Sequence, residues 1–238
     1  MTTALIFAGG TGQRMNSRAK PKQFLELHGK PIILFTLEHF EQHAEIDNIA
    51  VVCLEAWIDE LTLLLRRYDI EKVIRIVPGG VNGHESIYNG LAALSTVCAP
   101  DDIVLIHDGV RPLISGELIS ANIAKVRQCG TAITVEPAVE SIIRSIDGDR
   151  IDSVPPRGNM YTAKAPQSFR YGHIWGLYQR AKSDGLATID SAHLLSIYGE
   201  EMHTVRSTPN NIKITASADY YIFRALYEAV ENQQILGL

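Results

Sequence analysis

The sequence predicts an α/β fold in which a doubly wound, mostly parallel sheet is covered by helices on both faces. Two observations support this fold class. Short runs of apolar and β-branched residues recur along the chain, and amphipathic stretches of helical length lie between them. The strand-like runs are continuously apolar rather than alternating, as is typical of parallel strands that are buried on both faces. A sheet of this kind binds ligands at the carboxyl ends of its strands.

The elements follow one another in the order that this fold requires. Strands are predicted at Ala4–Ala8, Ile49–Leu54, Val73–Val77, Ile103–His107 and Ala132–Val135. Helices are predicted between and after them, at Ile32–Gln42, Trp57–Tyr68, Glu85–Leu94 and Leu118–Gln128. The chain returns to strand at Met202–Arg206 and Ile212–Thr215, and a closing helix starts near Ser217. Because a chain of 238 residues can bury one large core, a single domain over residues 1–238 is the simplest expectation.

One segment interrupts the alternation of strands and helices. In "SIIRSIDGDRIDSVPPRGNM" two short β-like runs flank Asp147 and Gly148, and the pair Pro155 and Pro156 cannot continue a central strand. An isolated hairpin is only marginally stable in water. The segment at about 139–160 therefore predicts a protruding β-arm that packs on a second subunit, with an ordinary surface hairpin as the alternative.

Composition and charge exclude several classes of protein. Hydrophobic residues make up 46% and charged residues 21% of the chain, which is typical of a globular protein. The net charge of −5 argues against a nucleic-acid partner, so phosphate affinity must come from a local basic cluster. The chain shows neither a signal-peptide pattern nor a membrane-length apolar run. Three scattered cysteines are typical of thiols in a reducing cytosol, and we expect a cytoplasmic protein without a membrane partner.

A glycine-rich turn follows the first strand, and cations follow the turn. The segment "AGGTGQRM" resembles a dinucleotide fingerprint only weakly, because Met15 stands where Gly or Ala is needed. The Gly-Lys-Ser/Thr of a Walker loop is missing. In a third interpretation, glycine N–H groups with Arg14 and Lys22 hold a nucleoside triphosphate. A plain strand-to-helix turn with solvated cations remains the alternative, and Arg18 and Lys20 are interpreted in that way.

Several motifs along the chain carry a resemblance to a known family. The opening "AGGTGQRM…PKQFLEL-GKPI" is similar to the IspD/TarI-type cytidylyltransferases, and closest to the branch that acts on ribitol 5-phosphate. Six further blocks recur in family order: "PGG…ESIYNGL" (78–91), "IHDGVRPLI" (106–114), "EPAVESI" (136–142), "PPRGNMYTAKAPQSF" (155–169), "TIDSAHLL" (188–195) and "NNIKIT" (210–215). The resemblance implies a Rossmann-like nucleotidyltransferase fold and the transfer of a cytidylyl group from CTP to a polyol phosphate.

The resemblance also implies the residues of the nucleotide site. Arg14, Lys22 and Lys213 match the family's catalytic cations, and Asp108 is implied to bind Mg²⁺ beside the triphosphate; capping of the following turn is the alternative for Asp108. The implied nucleotide-binding residues are Ala8, Gly9, Gly10, Gly12, Gly80, Val81, Ser86, Asp108 and Gly109. Gly83 stands where relatives usually carry Arg, and His84 is the candidate substitute for that cation.

The resemblance also implies the residues that bind the acceptor. The implied acceptor-binding residues are Arg111, Glu140, Ser141, Arg157 and Asp190. Since Arg157 follows the predicted arm, it would reach the active site of a neighbouring subunit, which makes a homodimer with shared active sites part of the expected mechanism.

Departures from the family pattern favour one acceptor over another. "AGG" and "VRP", together with Glu140, Ser141 and Ile189, favour D-ribitol 5-phosphate over 2-C-methyl-D-erythritol 4-phosphate, and another polyol or sugar phosphate is the remaining alternative. The product CDP-ribitol would then serve teichoic-acid or capsule synthesis. Two other classes stay open at this point. An inactive nucleotide-binding protein is disfavoured by the retained cations, and a nicotinamide-dependent dehydrogenase is disfavoured by Met15.

Overall fold

The computed structural model describes residues 1–10 and 20–236. The strands within these ranges are β1 (Thr2–Ala8), β2 (Glu26–Leu27), β3 (Lys30–Pro31), β4 (Asn48–Cys53), β5 (Val73–Pro78), β6 (Ile103–Asp108), β7 (Thr131–Pro137), β8 (Tyr161–Arg170) and β9 (Thr204–Arg206). The α-helices are α1 (Ile32–Glu41), α2 (Ile58–Arg67), α3 (Gly83–Ala93), α4 (Gly116–Cys129), α5 (Tyr171–Ser183), α6 (Ser191–Ile197) and α7 (Ser217–Leu236).

The main sheet contains seven strands in the order β5-β4-β1-β6-β8-β7-β9. The strands β5, β4, β1 and β6 pair in parallel, and β9 pairs in parallel with β7. The long strand β8 lies antiparallel between β6 and β7. The strand order reverses beside β1, as in a doubly wound sheet, and this confirms the predicted fold class.

Helices cover both faces of the sheet because the central strands are apolar on both sides. Along β1, Ala4 and Ile6 pack into a core shared with α1, α2 and α4, whereas Leu5 packs into the core on the opposite face with α3, α5 and α6. A third cluster joins α7 to α1 through Phe35 and Phe223, whose rings meet edge to face at 5.3 Å. None of the described helices is long and apolar enough to cross a membrane.

Six of the seven predicted strands are confirmed, including Met202–Arg206 as β9, and the closing helix begins at Ser217 as predicted. One predicted strand near the end of the chain is wrong. The segment predicted as a strand at Ile212–Thr215 is not part of either described sheet. Its alternating apolar residues, Ile212 and Ile214, pack on the α7 cluster, and the N–H group of Ile214 donates to the carbonyl of Val110 at 3.0 Å. The alternation therefore reflects packing against a helix and a loop, not membership of a sheet.

The chain between β7 and β8 is exposed along most of its length. A single antiparallel bridge joins Arg144 to Ser153, so this segment is a loop closed by one bridge and not the two-stranded hairpin that its sequence suggests. Its tip turns at Gly148, whose φ of 80° lies in the left-handed region that glycine adopts without strain. Its apolar side chains are unusually exposed, with 83% of Val139 and 80% of Ile146 open to solvent.

Candidate active site

A cavity of about 380 Å³ lies at the carboxyl ends of β1, β4 and β6. Its walls include the predicted residues Ala8, Gly9, Gly10, Lys22, Gly80, Val81, Ser86, Asp108 and Lys213. The predicted residue Gly109 does not line this cavity, but its N–H group donates to the carbonyl of the wall residue Phe7 at 3.0 Å. Gly12 and Arg14 fall outside the described residues. Most of the residues expected to bind a nucleotide therefore meet in one cavity.

Two glycines allow the strand ends beneath this cavity to approach each other closely. A Cβ atom on Gly79 would lie 3.3 Å from the Cα of Gly9, and a Cβ on Gly9 would lie 3.3 Å from Oγ of Ser86. Gly79 was missed in the sequence prediction, which chose its neighbour Gly80. At Gly80 a Cβ would collide with the side chain of Glu85. A side chain at Gly80 would collide with Glu85, and a side chain at Gly9 or Gly79 would push the neighbouring atoms apart, so glycine fits all three positions best.

Short-range hydrogen bonds hold the loop before α3 in place. Ser86 Oγ accepts from the N–H group of Gly80 at 3.0 Å and donates to the carbonyl of Asn82 at 2.8 Å. Asn82 caps α3 by accepting from the N–H group of Glu85, and the Glu85 carboxylate accepts from Val81 N at 2.8 Å. These bonds fix the loop that forms this wall of the cavity.

Gln23 is a site residue that the sequence reasoning missed. It is 1% exposed, and its Nε2 donates to the carbonyls of Ala8 at 2.5 Å and Gly10 at 3.3 Å. Its neighbour Lys22 donates from Nζ to the carbonyl of Ile214 at 3.0 Å. These bonds tie the start of the glycine turn to the segment after it and to the chain that carries Lys213. The motif "PKQFLEL" offered a signal for Gln23, which directly follows Lys22, but only Lys22 was assigned a role.

Asp108 is the buried charge at the floor of the cavity. Its Oδ1 accepts from Lys213 Nζ at 2.6 Å and its Oδ2 accepts from Arg111 Nε at 2.7 Å. Burial alone would raise the pKa of Asp108, but the two cations outweigh burial and hold that pKa well below its ordinary value. Asp108 is therefore ionised at neutral pH. The preceding His107 is fully buried against the ring of Phe40 at 5.2 Å.

A second cavity of about 280 Å³ adjoins the first. The two cavities share the wall residues Phe7, Gly83, Asp108 and Lys213. Arg111 and Asp190, both predicted to bind the acceptor, line this second cavity. An ion pair between a buried carboxylate and a half-exposed lysine therefore lies at the boundary of two neighbouring spaces.

Both predicted residues of the second cavity also have structural partners. Arg111 donates from Nη1 to the carbonyl of Asn211 at 2.9 Å in addition to its bond with Asp108. Asp190 caps α6 by accepting from the N–H group of His193 at 2.8 Å. The sequence reasoning missed two further wall residues, Lys164 and Gln167. Lys164 pairs with the carboxylate of Glu136, and Gln167 Nε2 donates to Asp190 Oδ2 at 3.3 Å.

Three predicted acceptor residues line neither cavity of this chain, as far as the described residues define them. Glu140, Ser141 and Arg157 lie on the exposed segment between β7 and β8. Arg157 Nη1 donates to the carbonyl of Val139 at 3.2 Å within that segment. A single chain therefore does not bring these three side chains together with Arg111 and Asp190.

His84 does not serve as the substitute cation that the sequence suggested. The side chain is 8% exposed, and burial lowers the pKa of its imidazole, so the ring is neutral at pH 7. It stacks on the ring of Tyr178 at 4.7 Å and contacts Thr188, away from the nucleotide cavity.

Comparison with known proteins decides between the classes that the sequence left open. The family model described as IspD, 2-C-methyl-D-erythritol 4-phosphate cytidylyltransferase, matches residues 2–228. The chain belongs to this family. It is accordingly a cytidylyltransferase, a nucleotidyltransferase enzyme, and the alternatives of an inactive binding protein and a dehydrogenase are set aside.

Curated relatives within the family carry two different names. The ribitol-5-phosphate cytidylyltransferase of Streptococcus agalactiae serotype Ia is 45% identical over 239 residues, covering 100% of both chains. The protein of that name from Vibrio parahaemolyticus serotype O3:K6 is 46% identical over 238 residues, again covering 100% of both. The 2-C-methyl-D-erythritol 4-phosphate cytidylyltransferase of Clostridium botulinum strain 657 is 36% identical over 227 residues, covering 95% of this chain and 97% of that one.

Solved structures support the same fold. The 4-diphosphocytidyl-2C-methyl-D-erythritol synthase of Anaerococcus prevotii superposes with a TM-score of 0.82 at 27% identity, over 95% of this chain and 96% of that one. The 2-C-methyl-D-erythritol 4-phosphate cytidylyltransferase of Francisella tularensis gives a TM-score of 0.77 at 26% identity, over 94% and 99% of the two chains.

Proposed function

We propose that this enzyme transfers the cytidylyl group of CTP to D-ribitol 5-phosphate, giving CDP-ribitol and pyrophosphate. The observation that carries the proposal is the pair of cavities that share Asp108 and Lys213 as a common wall. One cavity suits a nucleotide and the other a smaller phosphorylated polyol. Their common wall is where two bound phosphates would meet, which is the arrangement that a transfer between them requires.

The proposed reaction is a displacement at the α-phosphorus of CTP. An oxygen of the acceptor phosphate forms a bond to that phosphorus, and the bond to the bridging oxygen of the β-phosphate breaks, so that pyrophosphate leaves with the electron pair. Negative charge accumulates on the transferring group, and fixed cations therefore accelerate the step. We assign this role to Lys22 and Lys213, together with Arg14. The backbone groups around Gly9, Gly10 and Gly80, with Ala8, Gly12, Val81, Ser86 and Gly109, are proposed to frame the nucleotide.

The donor set at Asp108 fits one kind of magnesium site. Among the described residues no group of three or more His, Cys, Asp or Glu side chains converges on a metal site. Mg²⁺ is commonly held by one or two carboxylates with phosphate oxygens and water. Asp108 suits that arrangement, because each carboxylate oxygen keeps a lone pair beyond its bond to Lys213 or Arg111. A bound Mg²⁺ would screen the repulsion between Asp108 and the triphosphate.

The acceptor assignment rests on relatives and on side chains of the second cavity. The full-length relatives at 45% and 46% identity are named for ribitol 5-phosphate, whereas the relative named for methylerythritol phosphate is 36% identical. Ile189, which is 85% exposed, places an apolar side chain on the cavity where the methylerythritol branch is expected to carry a polar one. Arg111 and Lys164 are the cations available for the acceptor phosphate, and Asp190 is available for a polyol hydroxyl.

We further propose that the segment at about 139–160 of this single-domain chain is a dimerisation arm. Its exposed apolar side chains, Val139, Ile143, Ile146, Ile151 and Val154, would be buried against a second copy of the chain. In that dimer Glu140, Ser141 and Arg157 would complete the acceptor site of the neighbouring subunit.

The cellular role follows from the substrate. The enzyme would act in the cytoplasm, in agreement with its free thiols at Cys53, Cys98 and Cys129. It would there supply CDP-ribitol for teichoic-acid or capsule synthesis.

Pyrophosphate release tests the proposed function directly. The enzyme is incubated with Mg²⁺ and CTP and with either ribitol 5-phosphate or 2-C-methyl-D-erythritol 4-phosphate, and UTP and ATP replace CTP in control reactions. We expect the highest kcat/KM for CTP with ribitol 5-phosphate. A higher kcat/KM with the methylerythritol phosphate would overturn the acceptor assignment while leaving cytidylyl transfer intact.

A further inference from the structure

His84 connects the walls of the two cavities. Its backbone belongs to the helix that follows the wall of the nucleotide cavity, and its imidazole contacts the turn that leads to the acceptor cavity. His84 is the second residue of α3, directly after the loop whose residues Gly80, Val81 and Asn82 line the nucleotide cavity. Its imidazole reaches across to Thr188, which is 104 positions away in the sequence. Thr188 lies just before Ile189 and Asp190, which line the acceptor cavity. One buried side chain thus contacts elements from both cavities.

The hydrogen bonds around His84 fix the form of its ring. The N–H group of Thr188 donates to Nδ1 at 3.3 Å, and a backbone N–H cannot act as an acceptor. Nδ1 is therefore unprotonated, and the neutral ring carries its proton on Nε2. The hydroxyl of Thr188 lies 3.1 Å from Nδ1 and 3.0 Å from the carbonyl of Asp190, and it shares its single proton between these two acceptors.

Further hydrogen bonds hold the carboxylate of Asp190, which lines the acceptor cavity. Asp190 Oδ2 accepts from Gln167 Nε2 at 3.3 Å, and Gln167 Oε1 in turn accepts from the N–H group of Ala192 at 3.0 Å. Tyr178, on which His84 stacks, shares a hydrogen bond with Ser191 at 3.0 Å. The turn over residues 188–190 is consequently held by β8 and α5 on one side and by His84 on the other.

We propose that His84 is a positioning residue for the acceptor: by accepting the N–H group of Thr188 it fixes the 188–190 turn and thereby the carboxylate of Asp190. This inference rests on the proposed function, which assigns Asp190 to the acceptor. It predicts that the hydrogen bond, rather than the bulk of the ring, sets acceptor affinity.

Two substitutions separate the hydrogen bond from the ring. His84→Phe keeps an aromatic ring on Tyr178 but removes the acceptor atom, and the adjoining surface cavity of about 250 Å³ leaves room for the larger ring. His84→Asn loses the ring but carries Oδ1 at the position of Nδ1, where it accepts a hydrogen bond equally well. Tyr88→Phe is the matched control, because Tyr88 lies on the same helix and lines the same surface cavity.

Steady-state kinetics with CTP and ribitol 5-phosphate give the first measurement. We expect His84→Phe to raise the acceptor KM about three- to tenfold, the effect of one lost hydrogen bond, with the CTP KM little changed. His84→Asn and Tyr88→Phe should stay close to the unsubstituted enzyme. Equal acceptor KM values for His84→Phe and His84→Asn would overturn the proposal, as would a rise in the CTP KM alone.

Hydrogen–deuterium exchange gives a measurement that does not depend on the substrate. Without ligand, a peptide that contains Thr188 should exchange faster in His84→Phe than in His84→Asn, since only the former leaves this N–H group without an acceptor. Unchanged exchange in His84→Phe would overturn the proposed tether. Lack of turnover by the unsubstituted enzyme would instead overturn the proposed function, so the two failures are distinguishable.

Discussion

The two cations that contact Asp108 should have opposite importance for stability and for turnover. The side chains of Asp108 and Arg111 are only 5% and 8% exposed, whereas that of Lys213 is 39% exposed. Arg111→Met leaves a buried carboxylate with one partner and also removes the donor to the carbonyl of Asn211. Breaking a buried ion pair in this way costs about 3 kcal/mol.

The difference in exposure between Arg111 and Lys213 predicts different melting temperatures for the two variants. For a chain of this size, about 3 kcal/mol lowers Tm by roughly 6–12 °C, the change expected for Arg111→Met. Lys213→Met should lower stability less, by about 1–2 kcal/mol, because solvent reaches the lysine although its partner Asp108 stays buried. The same substitution should reduce turnover by about 10²–10³, because a fixed cation at the transferring phosphate is lost.

Thermal unfolding without ligand and pyrophosphate release on the same samples would check both halves of this prediction. Arg127→Met is the matched control, because Arg127 also makes a 2.7 Å ion pair, with Glu45, but is 55% exposed. Its Tm should hardly change. A Tm for Arg111→Met equal to that of Arg127→Met would refute the argument from burial. A Tm for Lys213→Met as low as that of Arg111→Met would refute the assignment of Lys213 to catalysis alone.

Three further predictions concern separate parts of the molecule. Lys22→Ala should reduce turnover about 10²–10³ in steady-state assays, and near-normal turnover would remove Lys22 from the mechanism. Arg157→Ala should chiefly raise the acceptor KM, and mixing it with Lys22→Ala should restore some activity through hybrid dimers; verified hybrids without activity would exclude shared sites. Gly90→Ala should lower the free energy of unfolding in urea by about 1–3 kcal/mol. Its Cβ would lie 2.5 Å from Leu5 Cδ1 and 2.8 Å from Val52 Cγ2, and an unchanged unfolding midpoint would contradict this close packing.

The sequence predicts the buried parallel strands and β7 and β9, but it does not reveal the antiparallel strand β8. The runs that form β1 and β6 are apolar on both faces, and a short run of this kind is typical of a strand covered by helices on each side. The strand β8 escaped prediction because its first four residues are exposed or partly exposed and because Lys164 and Pro166 interrupt its apolar pattern. Its place in the sheet depends on partners distant in sequence, β6 and β7, and no local pattern encodes that pairing.

The site shows the same division between local and distant information. Lys213 and Asp108 meet at 2.6 Å although they lie far apart in the chain, and only the family resemblance linked them before the structure did. Gln23, Gln167 and His84 carry polar roles that periodicity and spacing do not reveal. Their functions come from which carbonyl or N–H group lies opposite each of them in the fold, and that is decided by tertiary packing.

The wall shared by the two cavities has a consequence for how the reaction cycle ends. Each substrate would occupy one cavity, but the CDP-linked product would span both, with its diphosphate beside Asp108 and Lys213. A molecule held at two adjoining sites dissociates more slowly than either half alone, because both halves must leave together. The product should therefore compete with both CTP and the acceptor. A downstream enzyme that consumes the product would relieve this inhibition at the step of product release, not at bond formation.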